Sequence, residues 1–507
     1  MALFTRPGGA AAVCALATAS PVFADVTSQQ VWDDMRAYVD GLGYEMSAEE
    51  TTSGDTLDLS EIAISLPIPD VGGTAEVRIE ALSLTDNDDG TVSIVYPEEN
   101  RVDVEIRPEE GDQLDMTFLL TQSGLGITAS GTPEQMTYDY EADEVGLSLE
   151  RFAENGEEMP REAMAMAMTL DDMTGQSILS GDTVRDIAQT MSAARLAYDL
   201  TVAPPDEDGR MVLTGAMEGL SLDGSLALPE GVDLADMGAA LKSGYAVDST
   251  IRYTGGNADF TFEDDGDTMA GTSSSDGGSL VSELNADRMR YAATGENTRI
   301  DFRGTALPMP VAFELGQTAF NMLMPVARGD TAQEFDLGLT LGDFTMDEEL
   351  WQIFDPQGQL PRDPATVSFD ISGALRLLTD ILDPAAMEEF GSGGQMPVEP
   401  EEIALNDLTV RALGAELTGE GEATFDASDM ATFPGMPRPS GQIDLQLTGA
   451  EALLEKLVSM GLLPEEQAMG ARMMMGMFAV PAGDDVLTST IEINDQGHVL
   501  ANGQRLQ

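Results

Sequence analysis

The chain has 507 residues, of which 91 are acidic and 24 basic, giving a formal net charge of −67. Such a surface repels nucleic acid, whose binding requires clustered Lys and Arg, and it repels anionic lipid headgroups. With 42% hydrophobic residues in periodic array the chain is not a disordered polyanion. The acids are spread along its whole length, which favours solubility as their role over capture of calcium or a cationic ligand.

The first 24 residues form a three-part export pattern. Arg6 supplies the positive region, Gly9 to Ala19 an apolar run, and Val22-Phe23-Ala24 small residues at the two positions that a signal peptidase reads. The run is shorter than the roughly 20 residues a bilayer span needs, so cleavage after Ala24 and a periplasmic location are expected, with no transmembrane segment in the mature chain. Cys14 lies inside the apolar run and is preceded by Val13, which does not suit lipid attachment. The mature chain then has no cysteine, and can form neither a disulfide nor a thiolate metal site.

Beyond the leader, residues 27–40 carry an apolar helical stripe through Val31, Trp32, Met35, Tyr38 and Val39, with Thr27 and Gln30 as a capping box. Period-two alternation follows: Leu57 and Leu59, then Ile62, Ile64 and Leu66, then Val77, Ile79, Leu82 and Leu84. After the turn-like Asp86-Asn87-Asp88-Asp89-Gly90 come Val92, Ile94 and Tyr96, then Val102, Val104 and Ile106. The same alternation returns at Leu220 to Leu228, Ile251 to Tyr253 and Phe260 to Phe262. Apolar on one face and acidic on the other, these segments predict antiparallel strands with one solvated side. Further helices are expected at 182–197, on Val184, Ile187 and Met191; at 312–324, apolar nearly all round; and after Asp347, holding Leu350, Trp351 and Phe354 and ended by Asp355-Pro356.

In the C-terminal third, Val367 to Gly373 and Ile443 to Gly449 each read as strand and glycine junction followed by a helix, the first with Leu375, Leu378, Ile381 and Leu382, the second with Leu453, Leu454, Leu457 and Met460. Leu337 to Gly342 before the Trp351 helix is a weaker third copy. Pro204-Pro205 and the acidic residues after it suggest a linker between an N-terminal half, 25–203, and a C-terminal half, 210–507, the alternative being one continuous domain 25–507. The expected fold is mainly β with packed helices (α+β): an elongated, twisted, mostly antiparallel sheet with strand-glycine-helix repeats near its end.

Catalytic constellations are scarce. His498 is the one histidine and sits in a turn-like Asp495-Gln496-Gly497-His498, where it reads as a solvated turn residue rather than a base; a Ser-His-Asp triad is nearly excluded, as is a histidine-rich zinc site. Neither a Gly-x-Ser-x-Gly elbow nor a phosphate-binding glycine loop is present. Paired carboxylates that hydrolyse glycosides cannot be singled out among so many acids, and 2 Trp and 9 Tyr are few for a sugar cleft. Asp86, Asp88 and Gly90 fall one short of calcium-loop spacing. The 30 methionines stand out. Met164, Met166 and Met168 alternate with alanine, while Met469, Met473 and Met477 form a helical stripe beside Phe478. Thioethers can hold Cu(I), but methionine more often fills apolar space or makes an adaptable apolar surface, here a groove for acyl chains. No catalytic residue, cofactor or metal ligand is assigned, and the chain is expected not to be an enzyme.

Several stretches taken in order resemble one family: Val31-Trp32 with Gly43-Tyr44; Ser130-Gly131-Thr132-Pro133 leading to Tyr138-Asp139-Tyr140; Leu350-Trp351 with Phe354-Asp355-Pro356; Leu360-Pro361-Arg362-Asp363-Pro364; Gly461-Leu462-Leu463-Pro464; and Gly497 with Asn502-Gly503-Gln504. The chain is similar in these to an uncharacterised family of exported alphaproteobacterial proteins, a domain of unknown function. More loosely it resembles AsmA-like envelope proteins, which implies a long β-groove that carries or shields lipid. The expected role is a non-catalytic envelope protein binding lipid or another apolar ligand. The rivals, in order, are a structural or assembly factor working through other envelope proteins, a methionine-based copper binder and a carboxylate hydrolase.

Overall fold

The computed structural model describes residues 25–68, 72–181, 183–204, 209–234, 236–382, 398–433 and 436–506. The expected signal sequence, with Ala24 at its cleavage point, lies outside these residues. The chain is mainly β: twenty-seven strands form one sheet, every pairing is antiparallel, and strands next in sequence are next in space almost throughout. Four rows of this meander are each made of two short strands in line, such as Ala246–Tyr253 with Gly255–Asp264. Across the proline-rich stretch at 204 the sheet is continuous, because Val184–Val202 pairs with Arg210–Pro229 from Val202↔Met211 to Val184↔Pro229.

Among the described residues five short helices accompany the sheet: α1 (Ser28–Gly41), α2 (Met237–Ser243), α3 (Glu348–Phe354), α4 (Ala450–Ser459) and α5 (Glu465–Phe478). The capping box predicted for α1 is present, with the Gln30 amide donating to Thr27 and the Thr27 amide to the Gln30 side chain. Asp347 opens α3 and Asp355 ends it. None of the helices among the described residues is long and apolar enough to cross a membrane.

Three expected helices are strands instead. Residues 184–202 form one strand, where Ile187 and Met191 are two strand repeats apart and polar Gln189 between them imitates helical spacing. Residues 311–325 form another, in which a slip of side-chain phase at Gly316 breaks the alternation. After Gly373 the chain stays extended to Leu377, paired with Val398 to Glu402, so sheet pairing overrides the helical pattern. Ile381 and Leu382 follow in a turn, and residues 383–397 lie outside the described set. The strand-glycine-helix unit is present at 443–459, where Gly449 takes a φ of 74° at the junction. The 367–382 copy lacks its helix among the described residues, so the repeat does not hold.

A line of left-handed residues crosses the sheet: Glu61, Asp172, Gly219, Gly277, Asn297 and Asp343, with φ between 46° and 139°. On either side pairing resumes in the same register, as in Asp171↔Arg195 and Thr174↔Ser192. What changes is the side-chain phase. Leu59 and Ile62 are three residues apart, a spacing that sends side chains to opposite faces of a regular strand, yet both are buried in one cluster, 1% and 0% exposed. The line is therefore a crease: each strand folds there and keeps its apolar residues on the same, inner side. The sheet thus has two arms. Asp and Asn tolerate this backbone region better than other side chains with a Cβ.

Full burial is concentrated at the start of the sheet. There Val31 and Trp32 of α1 pack against Leu57, Leu59, Ile62, Leu82, Leu84, Val92, Ile94, Ala129 and Met136. The indole N–H donates to Glu50 at 2.8 Å. Asp34 of α1 accepts from Tyr138 at 2.7 Å and pairs with Arg185. α1 is thus anchored on the inner face and closes that end.

Two stability predictions follow from this packing. Trp32→Ala should lower the unfolding free energy by about 3–5 kcal/mol in urea titration. Asn297→Val should lower it by about 1–2 kcal/mol, because a β-branched residue resists the left-handed conformation, whereas Asn297→Gly should stay within about 0.5 kcal/mol.

Candidate functional site

Past the α1 plug, the inner face carries an apolar lane. Laterally paired positions run from Leu57 through Leu84, Ile94, Ile127, Tyr140, Gly175, Met191, Leu222, Ile251, Leu280, Ala293, Phe320, Leu339, Phe369, Leu408, Gly419 and Leu445 to Ser489. At about 4.8 Å per strand the lane measures roughly 80 Å along the sheet, and it contains no charged side chain. Beyond the crease the other arm carries its own lane: Leu120, Leu147, Met168, Tyr198, Gly215, Ala258, Ser273, Ile300, Phe313 and Met346.

Glycines in these lanes make room for rings. A Cβ at Gly175 would come within 2.4 Å of the Tyr140 ring, and one at Gly215 within 2.7 Å of the Tyr198 ring. The aromatic side chains therefore lie flat across the neighbouring strand and smooth the floor. Among the described residues no second layer covers it: the strands Leu114–Ser123, Met164–Ser180, Gly255–Asp264, Val398–Ala412 and Ala415–Asp426 contain no fully buried residue. Several exposed large apolar side chains lie on this inner face, among them Met168, Ile251, Phe262, Tyr291, Leu337, Val367 and Ile443.

The face is concave. The ε-ammonium of Lys242 in α2 lies 2.7 Å from the Asp380 carboxylate. These groups follow the strands 210–229 and 365–377, which are six steps apart, about 29 Å along the sheet. Their contact, with Ala240 of α2 packed against Leu228, Val232 and Tyr38, draws the rim inward over the apolar side. Farther along, Ile371, Ile403, Leu405, Ala423, Ile443, Ile491 and Ile493 line an aliphatic cavity of about 270 Å³.

The turns at the arm tips are acidic. Asp55, Asp88, Asp89, Glu134 and Asp287 are exposed on one rim, and Glu109, Glu110, Asp112, Glu157, Glu158, Asp264, Asp265 and Asp267 on the other. On the polar outer face carboxylates pair with arginines, as in Arg101 with Glu150 at 2.8 Å.

α3 and the loop after it form a clasp at one arm tip. Asp355 is buried and accepts from the Gln359 amide at 2.9 Å, the Leu360 amide at 2.8 Å and the Arg362 guanidinium at 2.6 Å. Arg362 also stacks on Trp351, 4.1 Å from the ring centroid. Burial pushes the Asp355 carboxyl up, but the two amides and the guanidinium outweigh it and hold the group below its usual range. The clasp borders a cavity of about 240 Å³ that Phe344, Met346, Trp351 and Leu413 help to line. Its residues hold one another, which gives the resembling stretch at 350–364 a structural role.

The sequence-derived candidates Met469, Met473 and Met477 share one face of α5, as expected, but point outward: they are 59%, 66% and 58% exposed, and Phe478 is 39% exposed. They do not line the aliphatic cavity. Met164, Met166 and Met168 lie on a strand, with Met168 in the second lane. Asp89 is used locally, accepting from the Thr91 amide and hydroxyl. His498 follows a tight turn closed by Asn494. Sequence reading found the alternating segments but not the lanes; counting residues through each short hairpin turn would have aligned them.

The Asp355 clasp gives a pH prediction. Its folded carboxyl titrates below the unfolded value, so its stabilisation is complete above about pH 4 and is lost as pH falls through the lower, folded value. Asp355→Asn should therefore unfold at lower urea than the parent at pH 7, and the gap between the two midpoints should shrink in titrations carried below about pH 4.

No curated protein matches the chain. Residues 244–503, just over half of it, match the family model described as "Uncharacterized protein conserved in bacteria (DUF2125)". The matched segment contains the aliphatic cavity, the Asp355 clasp and α5, and the chain belongs to that family.

Proposed function

We propose that the protein is a non-catalytic carrier or shield of acyl chains in the bacterial cell envelope, holding them along the creased inner face of the sheet. The observation that carries this reading is the uncharged lane some 80 Å long, closed at one end by α1 and left uncovered by the described residues over most of its length. A compact protein buries such a surface against a second layer. Here the side chains are shielded only by their neighbours, and an alkyl chain supplies the missing layer. Each buried CH₂ contributes about 0.8 kcal/mol, so ten in contact give roughly 8 kcal/mol, near a micromolar dissociation constant before the cost of ordering the chain. The leader pattern supports export to the periplasm, where an acyl chain needs protection from water. The alphaproteobacterial resemblance and the looser AsmA-like one point the same way.

Protein purified from its own host without detergent should yield acyl lipid on organic extraction and mass spectrometry. Ile251→Glu and Leu339→Glu, which put charge into the lane, should reduce that yield several-fold with the circular dichroism spectrum unchanged. Lipid-free protein, or lipid retained equally by both variants, would refute the reading. The uncovered stripe on α5 favours a second reading, an assembly factor working by protein contacts. It predicts reproducible crosslinked partners that are lost in Met473→Glu, without bound lipid.

A further inference from the structure

Resting on the acyl-groove reading, we infer that the groove selects amphiphiles by headgroup charge, taking those with an amine-bearing, cationic or zwitterionic headgroup over those that are purely anionic. The apolar floor and the charge of its rims act together on a bound amphiphile. An alkyl chain lying along a strand of the inner face brings its polar end out at an arm tip, since the lane has no charged or strongly polar group to hold it inside. At one tip it meets Asp88 and Asp89, and at the other Glu109, Glu110, Asp264 and Asp265, all exposed. Asp264 and Asp267 face each other across a turn two residues beyond the apolar pair Phe262 and Met269, so carboxylates stand directly above the floor. Behind both rims lies a chain with net charge −67. A carboxylate or phosphate headgroup at either tip is repelled, whereas an ammonium group gains attraction that salt screens.

The test uses three twelve-carbon ligands below their micelle concentrations at pH 7: dodecylamine, dodecanol and dodecanoate. Each displaces N-phenyl-1-naphthylamine, a neutral fluorescent probe, from the full mature chain. Leu339→Glu serves as control: its loss of probe signal shows that the probe reports on the lane. At low ionic strength dodecylamine should displace the probe at a concentration about tenfold below that of dodecanoate, with dodecanol between, and the gap should close in 1 M salt, where the screening length is about 3 Å. Combining Asp264→Asn, Asp265→Asn and Asp267→Asn should narrow the gap and leave the dodecanol value unchanged. Equal displacement by all three ligands, or preference for dodecanoate, overturns the charge selection and leaves the groove standing. Failure of all three to displace the probe, or an unchanged signal in Leu339→Glu, overturns the groove reading with it.

Discussion

A sheet one layer thick can shield its apolar face only by bending that face inward, and much of this molecule follows from that constraint. Hydrogen bonding fixes neighbouring strands about 4.8 Å apart, so an alternating pattern repeated strand after strand becomes a continuous apolar surface. Among the described residues, five short helices and a single sheet leave most of that face without a second layer. The crease at Glu61, Asp172, Gly219, Gly277, Asn297 and Asp343 folds the surface toward itself, and the contact between Lys242 and Asp380 draws one rim inward. At the α1 end a helix seals the interior, and there the large side chains are fully buried.

The acidic composition complements this arrangement. An uncovered apolar surface of this extent invites association with other copies, and a strong net charge opposes it through mutual repulsion. The carboxylates lie on the outer face and at the turns, so the same alternation that builds the groove also keeps it apart from its neighbours. Edge strand Glu45–Ser53 carries Glu45, Glu49 and Glu50, which discourages strand addition there.

Much of the fold was legible in sequence because period-two alternation is local. Leu57-Asp58-Leu59 and Phe260-Thr261-Phe262 announce strands, and the clusters Asp86 to Gly90 and Glu263 to Gly266 announce turns. Thr27 and Gln30 marked α1, and Asp347 and Pro356 bracketed α3. Misreading began where the crease crosses a strand. A phase slip places Leu315 and Thr318, or Ala193 and Leu196, three apart, and that spacing imitates a helix. The lanes were harder still to see, because they join residues more than a hundred positions apart, such as Met191 and Ala293, through a series of intermediate pairings. Methionine enrichment drew attention to α5, whose stripe lies outside the groove, while the groove itself is built of commonplace Leu, Ile, Phe and Gly.

The most direct test of the groove is to map where an alkyl chain lies. A fatty alcohol carrying a diazirine along its chain would be bound to the folded protein, irradiated, and the labelled residues located by peptide mass spectrometry. An acyl-binding inner face predicts adducts at alternate residues within strands and at laterally paired positions between them, including Leu222, Ile251, Leu280, Phe320, Leu339 and Phe369. Adducts confined to the exposed methionines of α5, or spread evenly over inner and outer faces, would contradict it.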